Sequence, residues 1–220
     1  MKQNETILIT GGSGHIGAHL IEFFKGEGLK VIAPTRSECD LSVSGATKKY
    51  LESLEKSGTN LNYIIANAAD QSVAKLSDTK PEDVAKMMQI NFNAIAEIYT
   101  FAAGKNIQSI LTISSIEAIR PRPGHLIYGA SKAAVEALTR SAAIELSTTR
   151  TNALRLGLIS RPGIESSWPQ GVEAWSKTTP LQRMGSLTDV SSAANFLLNS
   201  AWITGEVLTL DGGNSVNPGW

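Results

Sequence analysis

A chain of 220 residues with 42% apolar residues is long enough for one or at most two domains with a buried core. Its formal net charge is zero and like charges do not cluster, so neither nucleic acid nor a membrane surface is expected as a partner. A single cysteine, Cys39, excludes an internal disulfide, and no segment resembles a signal peptide or membrane span, which together predict a cytoplasmic protein.

Six short runs rich in β-branched residues alternate with longer stretches of helical spacing. The runs are TILIT (6–10), KVIAP (30–34), NYIIAN (62–67), SILTIS (109–114), NALRLG (152–157) and EVLTL (206–210). The helical stretches cover 15–28, 81–106 and 128–146. Strand–helix alternation predicts a parallel sheet with helices on both faces, and uniformly apolar strands are typical of a sheet buried on both sides. We therefore expect an α/β fold, a doubly wound parallel sheet of six or seven strands in three layers, formed by one domain over 1–220.

The segment 36–60 departs from this regular alternation. RSECDLS (36–42) follows the second strand at once, with no intervening helix. The helix usual at this point therefore looks deleted, which favours six strands, or seven with one very short strand.

The first strand leads directly into TGGSGHIG (10–17), in which Gly11, Gly14 and Gly17 open a helix. Glycines at this spacing allow a tight turn, and the helix N-terminus offers free N–H groups and a positive dipole end to a pyrophosphate. The motif alone could be a plain turn. Its place after the first strand of an alternating chain predicts a dinucleotide site.

The residues after the second strand should meet the adenosine ribose of a bound dinucleotide. An acidic side chain there would favour NAD, but the sequence has Thr35 followed by Arg36. Because arginine pairs with a phosphate through two hydrogen bonds, we expect NADP(H) to be preferred over NAD(H). The alternative is that Arg36 is a solvated surface residue.

In YGASK (128–132), Tyr128 and Lys132 would project from the same face of a helix. A lysine charge beside a phenol lowers the phenol pKa from about 10 toward neutrality, so Tyr128 could exchange a proton near neutral pH. The small residues between them would let a cofactor and a substrate approach. By itself, the pair would more often belong to an ordinary surface helix or a core.

Two serines make the catalytic interpretation stronger. Ser114 and Ser115 end the preceding strand, at the carboxyl edge of the sheet where the glycine loop also lies. Ligands of open α/β sheets bind beyond this edge, so three features far apart in sequence are expected to meet there.

Taken in order, these motifs resemble those of the short-chain dehydrogenase/reductase family, with its Rossmann-like fold, over nearly the whole chain. Further matching segments are NAA (67–69), INFNA (90–94), ISS (113–115), NALRLG (152–157) and TGEVLTLDGG (204–213). The resemblance also implies a homodimer or homotetramer and a small carbonyl or alcohol substrate, and no metal is expected.

The resemblance implies a role for each matching residue. Tyr128 would be the general acid in carbonyl reduction, or the base in reverse, and Lys132 would lower its pKa and hold the nicotinamide ribose. Ser115 would bind the substrate oxygen, and Asn91 would interrupt its helix and hold a water in the proton relay. The implied cofactor-binding residues are Gly11, Ser13, Gly14, His15, Ile16, Gly17, Arg36, Asp40, Leu41, Asn67, Ala68, Ala69, Tyr128, Lys132 and Ile159.

The chain departs from the short branch of the family at several positions. The spacing T-G-x-x-G-x-x-G is that of the longer, extended branch, and His15 stands at the middle glycine of the short branch. Leu156 replaces a proline and Arg161 a threonine, which alters the expected contacts around the nicotinamide. Because little sequence follows DGG (211–213), we expect a short-branch reductase with an unusual loop.

Residues 161–180 are expected to form a short lid over the substrate. Trp168 and Trp175 could wall the pocket or simply pack the lid down. Near the mouth, Arg120, Arg122 and His125 could select an anionic substrate or remain solvated.

The sequence thus predicts an NADP(H)-dependent oxidoreductase acting on a ketone or secondary alcohol. Two alternatives stay open. The extended-type loop suggests an epimerase or dehydratase that oxidises its cofactor only transiently. A non-catalytic nucleotide-sensing protein could use the same fold.

Overall fold

The structure, a computed structural model, describes residues 1–217 and contains a six-stranded sheet in the order β2-β1-β3-β4-β5-β6. All paired strands are parallel. The strands are β1 (Thr6–Ile9), β2 (Lys30–Ile32), β3 (Tyr63–Ala66), β4 (Ser109–Ser115), β5 (Arg150–Leu156) and β6 (Val207–Leu210). The expectation of a parallel sheet is confirmed, with six strands rather than seven.

Within residues 1–217, eight α-helices accompany these strands. They are α1 (His15–Gly26), α2 (Ala46–Lys56), α3 (Pro81–Met88), α4 (Ala94–Ala102), α5 (Leu126–Glu145), α6 (Ile164–Ser167), α7 (Pro169–Thr178) and α8 (Leu187–Asn199). A π-helical segment, Gln89–Asn93, joins α3 to α4.

The helices cover both faces of the sheet and complete three layers. Ile7 and Ile9 belong to a core cluster that includes residues of α1 and α8. Leu8, between them, belongs to the opposite cluster, formed with residues of α2, α4 and α5. Because successive strand residues point to opposite faces, a strand buried on both sides must be apolar throughout. No helix within residues 1–217 is long and apolar enough to cross a membrane.

The connection between β2 and β3 contains a helix that the sequence motifs did not indicate. The chain leaves β2 through a loop and reaches Asp40 without a helix, as expected, but α2 then begins at Ala46. Its N-cap is Gly45, with φ 79° and no capping side chain of its own. Glu97 of α4 supplies the cap, because its carboxylate accepts the backbone N–H groups of Gly45 (2.8 Å) and Lys48 (3.1 Å). The start of α2 is therefore set by a residue on another helix.

Candidate active site

The glycine loop lies at the carboxyl end of β1 and is closely packed against the end of β3. Gly11 has φ +70°, and a Cβ at Gly17 would lie 2.1 Å from the Gly11 carbonyl oxygen. The Asn67 side chain donates from Nδ2 to the carbonyl oxygens of Thr10 (3.0 Å) and Gly11 (3.3 Å). A Cβ at Gly11 would also lie 2.8 Å from Cα of Ala68. Glycine is thus required at position 17 by the backbone of the loop itself and at position 11 by the backbone of Ala68 after β3.

The N-terminus of α1 suits an anionic group. The helix follows Gly14, and no side chain among residues 1–217 caps it, so its first-turn N–H groups remain available. Ser13, Gly14 and His15 are exposed, whereas Ile16 is partly buried. Nε2 of His15 lies 3.2 Å from the Ser160 carbonyl oxygen, which joins the glycine loop to the segment after β5 that carries Ile159. These residues fit the pyrophosphate of a dinucleotide.

The loop after β2 brings together two of the expected cofactor residues. Arg36 Nε lies 3.3 Å from Oδ2 of Asp40, and the Arg36 side chain is 76% exposed. Sequence reasoning missed Glu38 in the same loop, whose carboxylate accepts the N–H and the hydroxyl of Thr35, each at 2.8 Å. Leu41 is also in this loop, and its carbonyl oxygen accepts the Gln89 amide at 3.4 Å.

Three of the expected catalytic side chains meet where β4 ends and α5 passes. Tyr128 is 6% exposed, and its phenol is hydrogen-bonded to the Ser115 hydroxyl and to Gln71 Nε2, the latter at 3.4 Å. The Lys132 ammonium lies 5.6 Å from the centre of the Tyr128 ring and donates to the Ile113 carbonyl oxygen at 2.8 Å. Tyr128 and Lys132 therefore share one face of α5, and Ser115 lies beside them at the end of β4.

Asn91, the fourth expected residue, lies fully buried in the π-helical segment. Its Oδ1 accepts the Asp70 N–H (2.7 Å), and its Nδ2 donates to the Asp70 carbonyl oxygen (2.9 Å) and to Ser131 Oγ (3.0 Å). The helix is interrupted at this point, as expected. Asn91 thus ties the loop that continues from Ala69 to helix α5.

The expected direction of the Tyr128 pKa is wrong for this structure. Burial is the largest influence and raises the pKa of Tyr128 to about 12, with the hydrogen bonds from Ser115 and Gln71 acting in the opposite direction. Burial also lowers the pKa of Lys132 to about 8. Removal from water disfavours the charged form of both groups, and this effect outweighs their proximity.

A family model described as enoyl-(acyl carrier protein) reductase matches residues 22–215 of the chain. Glucose 1-dehydrogenase of Gluconobacter oxydans is 30% identical over 241 aligned positions, covering 94% of this chain and 90% of that protein. The 3-oxoacyl-(acyl-carrier-protein) reductase FabG of Rickettsia typhi is 31% identical over 231 positions, covering 95% and 96%. The chain belongs to the short-chain dehydrogenase/reductase family.

The structural comparison agrees with this assignment. The ligand-free aldohexose dehydrogenase of Thermoplasma acidophilum has a TM-score of 0.90 and 26% identity, with 99% of this chain and 96% of that chain covered. The protein is thus an enzyme of the short-chain dehydrogenase/reductase type with the Rossmann-like fold.

The small residues of YGASK have a structural purpose in this short-chain dehydrogenase/reductase. A Cβ at Gly129 would lie 2.8 Å from the Glu117 carbonyl oxygen, so glycine lets α5 pack directly on the 3₁₀ turn after β4. Gly129 and Ser131 are buried, and Ala130 is exposed. Gly129 thus faces protein backbone, and the expectation that these small residues let a cofactor and a substrate approach stays a prediction.

The cationic residues at the mouth contact protein groups. Glu117 lies 3.1 Å from both Arg122 Nε and His125 Nδ1, although the contact with His125 lacks hydrogen-bond geometry. Arg120 instead donates to the carbonyl and side-chain oxygens of Asn214, which follows β6. Sequence reasoning did not single out Glu117, although an acid two residues after Ser115 was a visible signal.

The two tryptophans of the expected lid pack against glycines. A Cβ at Gly171 would lie 1.8 Å from the Trp168 indole, and Arg122 lies 5.1 Å from the Trp168 ring centre on the mouth side. A Cβ at Gly157 would lie 2.8 Å from the Trp175 ring, whose Nε1 donates to the Arg183 carbonyl oxygen at 3.2 Å. Trp175 therefore packs the segment against the residue that follows β5, whereas Trp168 packs within the segment and borders the mouth.

Proposed function

We propose that this short-chain dehydrogenase/reductase is an NADP(H)-dependent oxidoreductase that reduces a ketone or oxidises a secondary alcohol, with Tyr128 as general acid/base. The observation that carries the proposal is the buried Tyr128 phenol. It is hydrogen-bonded to Ser115, with Lys132 on the next helical turn, at the same sheet edge as the glycine loop. A bound nicotinamide dinucleotide would supply or accept the hydride.

The chain's own groups would then orient and protonate the substrate oxygen. Ser115 and Tyr128 would both hydrogen-bond to it, with Tyr128 donating the proton during reduction. Burial raises the pKa of Tyr128 to about 12, so the phenol carries its proton at neutral pH and can donate a hydrogen bond to the substrate oxygen. Lys132 would hold the nicotinamide ribose. Asn91 would hold a water of the proton relay and, through its hydrogen bond to Ser131, would anchor α5 beside it.

The loop after β2 supports NADP(H) over NAD(H). The Arg36 side chain is 76% exposed, and its contact with the partly exposed Asp40 is screened by water, so the guanidinium is available to a 2′-phosphate. Glu38 is the acid that could favour NAD(H) instead, but its carboxylate already accepts both hydrogen bonds from Thr35. Asp40 and Leu41 would border the adenine, and Ile159 the carboxamide.

The mouth offers little free positive charge to an anionic substrate, so we expect an uncharged one. Arg122 is paired with the carboxylate of Glu117, which offsets its charge. Arg120 keeps its charge, but its guanidinium already donates to the oxygens of Asn214. The segment 161–180, with α6 and α7, would be the substrate lid, and the relatives named for glucose and aldohexose make small sugars suitable first candidates.

We also infer a homodimer or homotetramer in the cytoplasm. The outer face of α5 presents the small exposed residues Ala130, Ala133, Ala137 and Ser141, on which another helix could pack closely.

A substrate screen tests the whole proposal. Uncharged ketones, aldoses and keto acids would be offered with NADPH and then NADH, and oxidation of the reduced cofactor followed by its ultraviolet absorbance. Net NADPH oxidation with an uncharged carbonyl compound is expected. Turnover of substrate without net change in the cofactor would favour the epimerase or dehydratase alternative. Cofactor binding with no turnover of any compound would favour the nucleotide-sensing one.

A further inference from the structure

A buried ion pair lies behind the proposed active site and is not used by the proposed reaction. Glu136, one helical turn beyond Lys132 on α5, is 3% exposed. Its carboxylate accepts two hydrogen bonds from Arg155 of β5, at 2.8 Å from Nε and 2.5 Å from Nη2. Such two-pronged pairs hold both partners in one geometry.

The sheet itself builds this pair. Ser114, Arg155 and Thr209 are in register on the adjacent strands β4, β5 and β6, so their side chains form one row on the α5 face. Ser114 Oγ donates to Glu136 Oε1 at 2.7 Å, and Arg155 Nη1 donates to Thr209 Oγ1 at 3.0 Å. The Glu136 carboxylate therefore has three hydrogen bonds that fix its position beneath the helix.

The charged neighbours of Lys132 show why this position matters. Lys132 is 1% exposed, and burial opposes its charge, whereas the negative charge of Glu136 favours it. The other ionisable groups in the surroundings are Tyr128 on α5, Glu117 in the 3₁₀ turn, Arg155 on β5, and Glu206 and Asp211 at the two ends of β6. Of these, Glu136 is the group whose charge stabilises the Lys132 ammonium.

We propose that Glu136, held in place by Arg155 and Ser114, is a positioning residue that acts through Lys132 by keeping its ammonium charged, while the Ile113 carbonyl oxygen fixes the direction of that ammonium. Replacement of a buried ion pair by apolar residues is often neutral or stabilising, so stability alone gives little reason for this pair. The role of Lys132 in this inference rests on the proposed function. The coupling between the charges of Glu136 and Lys132 does not.

The coupling is tested by nitrogen-15 NMR titration of the Lys132 ammonium. In Glu136→Gln the titration midpoint is expected to fall by about 1 pH unit, because the favourable charge is lost. Glu145→Gln, at an exposed position of the same helix, should leave the midpoint unchanged. An unchanged midpoint in folded Glu136→Gln would overturn the proposal.

A second variant covers the case in which Glu136→Gln does not fold. Glu136→Gln with Arg155→Gln leaves no unpaired buried charge and is compared with Arg155→Gln alone, because loss of the Arg155 cation by itself favours the Lys132 ammonium. The midpoint should be lower in the double variant than in Arg155→Gln, since the carboxylate is the group that acts on Lys132. Glu136→Asp keeps the charge and should restore most of the wild-type midpoint. Equal midpoints in the double variant and in Arg155→Gln would also overturn the proposal.

The active-site role is tested by the pH profile of carbonyl reduction. In Glu136→Gln the alkaline limb of kcat/KM should move to lower pH by the same amount as the NMR midpoint, and in Glu145→Gln it should not move. An alkaline limb that stays in place while the midpoint falls would refute the positioning role. If wild-type protein reduced no carbonyl compound, the proposed function would fail, while the NMR midpoints would still decide the coupling.

Discussion

The Lys132 ammonium lies 5.6 Å from the centre of the Tyr128 ring and is hydrogen-bonded to the Ile113 carbonyl oxygen at 2.8 Å. Both side chains are almost fully buried. Burial moves both pKa values toward the neutral forms, to about 12 for Tyr128 and about 8 for Lys132. The arrangement therefore places a costly cation beside a phenol, which is better explained by chemistry than by stability.

Replacing Tyr128 with Phe should lower kcat for carbonyl reduction by about 10²–10⁴-fold, because the proton donor is lost while the ring still packs. NADPH affinity, measured by fluorescence titration, should change little, since the glycine loop is untouched. Tyr50→Phe, the same change on α2, is the control and should retain full activity. Substantial activity in Tyr128→Phe would exclude the proposed role.

Lys132→Met should abolish turnover and yet stabilise the fold. Burial lowers the pKa of Lys132 from 10.5 to about 8 in the folded state. The buried ammonium therefore destabilises the folded protein by its full amount below pH 8, and this destabilisation disappears as pH rises toward 10.5. At neutral pH, Lys132→Met should increase the free energy of unfolding by about 2–3 kcal/mol. Urea unfolding of both proteins at several pH values measures it, and a difference that does not shrink at alkaline pH would contradict this explanation.

Gly17→Ala should destabilise the protein by about 1–3 kcal/mol and weaken cofactor binding, because the added methyl group forces the glycine loop apart. Its Cβ would lie 2.1 Å from the Gly11 carbonyl oxygen. Gly26→Ala, in the same helix, meets no atom within 4 Å and should be stabilising by up to about 1 kcal/mol. Thermal unfolding and NADPH titration compare the two, and equal effects would disprove the packing argument.

Arg36→Leu should raise KM for NADPH about tenfold or more, since a charge-assisted hydrogen bond to the 2′-phosphate is lost. KM for NADH should stay the same. The control is Arg140→Leu, which removes an equal charge from the exposed side of α5. If Arg36→Leu affected both cofactors alike, the residue would not discriminate between them.

Glu97→Ala should destabilise the protein by about 1–2 kcal/mol, because α2 loses its N-terminal cap. Hydrogen exchange should show the loss first in the amides of Gly45 and Lys48, which donate to Glu97. Glu145→Ala, on an exposed part of α5, should have little effect. Unaltered protection of the α2 amides would show that the helix does not depend on Glu97.

Much of the scaffold follows from local patterns in the sequence. A uniformly apolar run such as TILIT must be a strand buried on both sides, and six such runs correspond to the six strands. The glycines after the first strand predict a tight turn. Tyr128 and Lys132, four positions apart, predict a shared helix face. Each of these predictions needs only one turn of local backbone. The catalytic and cofactor roles of these residues stay predictions.

Features that depend on contacts between distant segments could not be inferred in this way. The start of α2 depends on Glu97, and the partners of Arg122 and Glu136 come from residues brought close only by folding. The pKa of Tyr128 is raised, whereas the sequence predicted that it would be lowered. The spacing of two residues indicates which charges are near the phenol, but it does not indicate how far folding removes the phenol from water. The sequence by itself therefore determined the sheet and the positions of the reactive groups. The tertiary structure decided their protonation and their partners, since desolvation depends on everything packed around a group.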